Sequence, residues 1–178
     1  MNALQVRKMT YAALCLAIAM VLPFITGQIP EIGSMLCPMH IPALLCGFIC
    51  GWPWGVAVGF IAPLLRSVIF GMPVMFPTAV AMAFELAVYG GTAGILYRLL
   101  PRKKWTVYLV LILSMIAGRI VWGIAKLILC RIMGMEFVYF ASVADAFVTA
   151  LLGISAQLVL IPAIVYAMNK AGLNLNNA

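Results

Sequence analysis

Apolar residues run along this chain in long, nearly unbroken stretches, without the regular return of polar residues that marks a helix with one wet face. Six such segments are separated by short breaks rich in Gly, Pro, Arg or Lys. They run from about Met9 to Thr26, Ile41 to Gly51, Gly55 to Phe70, Pro77 to Tyr97, Trp105 to Cys130 and Phe140 to Met168. Roughly 20 apolar residues span a bilayer as helix, so each long segment reads as a crossing and the second is short. A start near Cys37 lengthens the second, since proline is tolerated where neighbouring helices cover the backbone. Joining the second and third segments into one re-entrant unit gives a five-span alternative. The pattern predicts an all-α integral membrane protein, a bundle of six transmembrane helices forming one domain over residues 1–178.

Composition removes the soluble alternatives. Of the 178 residues, 66% are apolar and 8% charged, and mean hydropathy is +1.18. A soluble domain is nearer half apolar and a quarter charged, and a chain this short must still cover its surface. A soluble enzyme and a disulfide-stapled secreted domain are excluded. The sequence has no Gly-x-x-x-x-Gly-Lys-Ser/Thr loop and no room for an ATPase domain. Cys15, Cys37, Cys46, Cys50 and Cys130 are scattered through apolar stretches and read as small core residues. With a single histidine, no metal site is expected.

The formal charge of +7 matters through its placement, which suggests lipid and not nucleic acid. Arg7 and Lys8 precede the first segment, Arg98, Arg102, Lys103 and Lys104 lie between the fourth and fifth, and Lys170 follows the sixth. With six spans all of these fall on one side, opposite Arg131, Glu31 and Glu136. Both termini are then expected to be cytoplasmic. The basic start and apolar stretch resemble a signal peptide, but no small-x-small cleavage site follows, so the segment is expected to be retained as the first helix.

Candidate chemistry lies in the ionisable residues left inside spans: Arg66, Glu85, Arg119, Lys126 and Asp145. Such residues are costly in a bilayer and mark functional sites by default. The expected topology places all of them in the outer half or at the midplane, with Glu85 about 12 Å below the outer surface at 1.5 Å per residue. An outward-opening polar cavity follows. Arg119, Trp122 and Lys126 share one helical face at i, i+3 and i+7, putting an aromatic plate between two cations. The positive surplus favours an anionic ligand, most simply a carboxylate. The alternative is internal pairing, for example Arg66 with Glu85 and Lys126 with Asp145, which fixes helix register and binds nothing.

The loop GQIPEIGSMLCPMH, on the same side, is apolar enough to fold over such a cavity, with Glu31 and His40 as possible contributors; His40 also fits a hydrogen-bonded interface role. Gly47, Gly51, Gly55 and Gly59 recur every four residues, and Ala13-x-x-x-Ala17 lies on the first helix. Both patterns allow close helix approach, within the molecule or to a partner. An intramembrane serine protease needs a histidine deep in the membrane, and a metal-dependent phosphotransferase needs several aspartates. Neither is present, so no enzyme is expected. A self-sufficient small secondary transporter or channel for an organic anion is the alternative; inverted repeats, common in such transporters, are not evident.

The order of these features resembles the substrate-binding S component of energy-coupling factor (ECF) vitamin transporters. The resemblance rests on the basic N-terminal pair, Ala-x-x-x-Ala, the stretch MHIPALLCGFICGWPWGVAVGFIAPLLRSVIFG and six short spans. It implies a multi-pass protein of the bacterial cell membrane that binds one vitamin from outside and has no cofactor. It further implies partners, a transmembrane coupling subunit and two ABC ATPases, with Ala13 and Ala17 contacting the coupling subunit. The wording of the loop and second helix is similar to the pantothenate branch.

Overall fold

The structure, a computed structural model, describes residues 2–25, 37–101, 103–134, 148 and 150–176. Six α-helices are found among them: α1 (Ala3–Ile25), α2 (His40–Cys50), α3 (Trp52–Phe70), α4 (Val80–Leu99), α5 (Lys104–Ile132) and α6 (Leu151–Lys170). A π-helical turn over Met75–Ala79 leads into α4. Five of the helical stretches are long and apolar enough to cross a membrane; α2 is not. The described residues contain no β-strand.

One boundary differs from the sequence reading in an informative way. Arg7 and Lys8 do not precede the first helix but lie within α1. A helix of 23 residues is about 34 Å long, longer than a hydrocarbon core of roughly 30 Å, so its basic first turns extend past the apolar layer. The sixth segment is helical from Leu151 to Lys170; the earlier part, with Asp145, lies outside the described residues.

Helix α2 is the centre of the bundle. Its 11 residues rise about 16 Å, half of a bilayer core, and nine of them are buried. A helix apolar all round belongs inside, and α2 packs against α1, α3, α4 and α6. It reverses into α3 through the single residue Gly51, with Pro53 supplying a preset φ in the first turn of α3. Gly51 has φ +96°, where a side chain is strained, and a Cβ there would stand 2.9 Å from Asn176 Oδ1.

The helices then alternate in direction. Gly47, Gly55 and Gly90 bring three backbones together: a Cβ on Gly47 or Gly90 would collide with the carbonyl of Gly90 or Gly55 respectively. Gly59 meets the Leu86 carbonyl in the same way, and Gly94 meets Trp52. The four-residue glycine spacing is therefore spent on packing inside the molecule. The chain's two ends share one end of the bundle, here the terminal end. There Leu175 N–H donates to the Ile49 carbonyl at 2.9 Å and Asn176 Nδ2 donates to the Gly94 carbonyl at 3.2 Å.

Toward the opposite, far end, the chain re-enters the bundle before α2 begins. Met39 and Ala43 pack with Ala19 of α1, which lies about 9 Å inward of Ile25 along the helix axis. Cys37, Pro38, Met39 and His40 are all buried. The end of the Gly/Pro-rich loop is thus part of the interior, and α2 starts near mid-bundle. All five cysteines are buried and unbridged.

Candidate functional site

Sequence places Glu85 in the second turn of α4, Arg119 halfway along α5 and His40 at the first position of α2. Packing brings the three together where α2 begins. Arg119 Nη1 lies 3.2 Å from Glu85 Oε1, and His40 Nε2 lies 3.5 Å from the same oxygen. Tyr89, one turn along α4, donates its hydroxyl to Oε1 at 3.2 Å. Arg119 Nη2 also donates to the Cys37 sulfur at 3.8 Å. Gly118 makes room for this assembly, since a Cβ there would overlap the Tyr89 ring.

Burial makes the pairing strong and obligatory. Glu85 is 1% exposed, His40 4% and Arg119 7%. An isolated charge in such a place costs several kcal/mol, so the two ions hold each other. The first turn of α2, which has no side-chain cap and whose His40 N–H donates to the Cys37 carbonyl at 3.1 Å, lies beside this carboxylate, and its helix dipole adds to the stabilisation. Trp122 continues the site along α5. Arg119 Cζ stands 5.8 Å from its ring centroid and Lys126 Nζ 4.7 Å, within cation–π range.

Arg66 does not join the cluster. Its Nη1 donates to the Met20 carbonyl at 2.7 Å, and its guanidinium lies 5.2 Å from the Phe24 ring and 5.1 Å from the Phe70 ring. Pro23 lacks the N–H that would bond the Ala19 carbonyl, and Arg66 steadies the adjoining carbonyl of that loosened turn. The pairing of Arg66 with Glu85 considered from sequence is therefore replaced by Arg119 and His40 with Glu85. Glu31 and Asp145 lie outside the described residues. Ala13 and Ala17 are exposed on α1, whereas Ala12 and Ala19 face the core.

Some buried polar atoms were not signalled by charge. Beyond the His40 Nε2 approach to Glu85, His40 Nδ1, Ser114 Oγ on α5, Gln157 Oε1 and Asn169 Oδ1 on α6, and Asn174 Nδ2 are buried without a hydrogen-bond partner. Each such atom costs about 1–3 kcal/mol if it stays unpaired. Among the described residues no group of three His, Cys, Asp or Glu side chains could hold a metal ion.

Apolar helices of membrane length around a buried polar cluster define an integral membrane protein of the helical-bundle class. A family model described as the substrate-specific component of ECF transporters matches residues 7–175, and the chain belongs to that family. It is a transporter subunit and not an enzyme. Neither a curated protein nor a solved structure gives a significant match.

Proposed function

We propose that the cluster at the start of α2 is the seat of a small vitamin-type nutrient, which the bundle captures at its far end. The observation that carries this reading is the Glu85–Arg119 pair with His40, buried beside a helix that stops half-way across. Discontinuous helices with polar groups at the break are a recurring way to build a substrate site within the membrane. His40, Glu85, Arg119, Trp122 and Lys126 form the lining. Arg66, Glu31 and Asp145 are assigned to its rim at the far end. The distribution of basic residues supports both termini in the cytoplasm of a bacterial cell, so that the far end faces outward.

The cargo we favour is pantothenate, a small carboxylate with hydroxyl groups. The test is thermal denaturation of the purified protein in detergent with pantothenate, biotin, folate, riboflavin or thiamine. A ligand specific for the folded state adds RT ln(1 + [L]/Kd), about 4 kcal/mol at a thousandfold excess over Kd. Pantothenate is expected to give the largest rise in melting temperature. A larger rise with another vitamin would reassign the cargo, and no rise with any would remove the vitamin reading.

Docking to a coupling subunit and two ATPases is assigned to the exposed Ala13–Ala17 face of α1, whose small side chains leave a flat surface for a second helix. Ala13→Trp and Ala17→Trp are expected to leave ligand binding unchanged and to stop uptake in cells that hold the complete transporter. Loss of binding in these variants would place that face in the ligand site instead. Uptake into vesicles lacking any ATPase would favour a self-sufficient transporter.

A further inference from the structure

Of the residues with unpaired buried atoms, Asn169 and Asn174 belong to the terminal end, while His40, Ser114 and Gln157 adjoin one core cluster. His40 opens α2, and one turn later Leu44 packs in a single core cluster with Tyr89, Leu111, Met115 and Ile161, with Ile154 and Leu158 against it. Ser114 lies between Leu111 and Met115 in sequence, one turn before Gly118, the residue that abuts the Tyr89 ring. Gln157 lies between Ile154 and Leu158 and is 1% exposed; Ser114 is 0% exposed. Helices α2, α5 and α6 thus each carry one of these buried polar residues next to members of a single core cluster.

Glu85 adds a fourth group. Its contacts to Arg119, His40 and Tyr89 are all at Oε1, and among the described residues no hydrogen bond reaches Oε2. The set holds two acceptors, a carboxylate oxygen and an amide oxygen, beside the Ser114 hydroxyl, which can donate or accept. Buried polar atoms in native proteins find partners, and acceptors are satisfied by donors. A carboxylate placed here would face Glu85 and leave the amide oxygen unmet.

We infer that the end of the ligand seated deepest in the bundle is uncharged and rich in O–H or N–H donors, held by Glu85, His40, Ser114 and Gln157. Any carboxylate on the ligand then points toward the far end. This rests on the reading of the bundle as a binder of small molecules and adds the orientation and chemical class of the buried end. The deep site reads hydroxyl or amide groups, while the Glu85–Arg119 pair stays intact.

The experiment compares full-length wild type, Gln157→Leu and Ser114→Ala by calorimetric titration with pantothenate and with pantothenol, its analogue with an alcohol in place of the carboxylate. Gln157→Leu is expected to weaken both probes by the same factor, tenfold or more, and Ser114→Ala to weaken both about threefold. Equal affinities in wild type and Gln157→Leu overturn the inference, as does a loss confined to pantothenate. A second readout needs no ligand. Gln157→Leu removes an unpaired acceptor, so the ligand-free protein is expected to melt at or above the wild-type temperature. A fall of several degrees overturns the inference by showing that the amide already has its partner. If neither probe binds wild type, the pantothenate reading fails, and the ligand-free melting temperatures decide this one.

Discussion

Gly90→Val is expected to yield no folded, monodisperse protein in detergent, and Gly90→Ala to melt at least ten degrees below wild type. At this position α4 touches α3 and α2 backbone to backbone. A Cβ on Gly90 would overlap the Gly55 carbonyl and stand 2.8 Å from the Gly55 Cα, while one on Gly55 would stand 2.6 Å from the Gly90 oxygen and 2.8 Å from the Gly47 Cα. Overpacking costs about 1–3 kcal/mol where side chains can shift. Here the atoms in the way belong to helix backbones, so relief requires α3 and α4, the most extensively packed pair in the bundle, to part. Gly91→Ala is the control. Its Cβ meets only Val56 Cγ2, at 2.9 Å, a methyl that can turn aside, and Ala gains up to about 1 kcal/mol of helix propensity over Gly. It is expected to melt within a few degrees of wild type. Size-exclusion profiles and melting curves of the three variants decide the matter, and a wild-type melting temperature for Gly90→Val would refute the three-backbone contact.

Arg119→Ala is expected to lower stability by about 3–5 kcal/mol, because it strands a buried carboxylate. Sequence alone pointed to a ligand contact, whose removal would spare the fold. The 3.2 Å approach to Glu85 and the burial of both residues couple folding and binding at this position. Melting of the paired variants separates the two roles. Glu85→Leu with Arg119→Leu removes both charges and is expected to melt near or above wild type, since apolar replacement of a buried pair is often neutral or stabilising. If the pair also contacts ligand, this stable double variant no longer binds the vitamin that wild type binds. Should Arg119→Ala melt with wild type, Glu85 must be held by other groups.

The contrast between these positions explains what could be read from the sequence. Hydropathy fixes roughly how deep a residue lies, so Glu85 and Arg119 are visible as intramembrane charges in the outer half or at the midplane. It does not fix the rotation of each helix. The pairing that sequence suggests, Arg66 with Glu85, therefore gives way once packing turns Arg66 toward Met20, Phe24 and Phe70. The short second segment was visible as short, but its position in the centre of the bundle follows from its apolar surface on all sides and from the glycines that admit it. Arg7 and Lys8 precede the first apolar segment yet lie inside α1, because hydropathy detects only the apolar layer, whereas hydrogen bonding continues the helix past it. Ser114 and Gln157 carry no charge and interrupt no apolar run strongly, so nothing in the pattern marked them.

The closeness of Glu85 and Arg119 has an electrical consequence. A lone charge moved across a membrane does work of about 2.3 kcal/mol per 100 mV. Two opposite charges 3.2 Å apart travel as a dipole, and their net work against the voltage is close to zero. A tilt or rotation of the whole bundle that carries this pair through the bilayer is therefore nearly indifferent to membrane potential. The membrane voltage would thus supply no energy for such a motion through this pair.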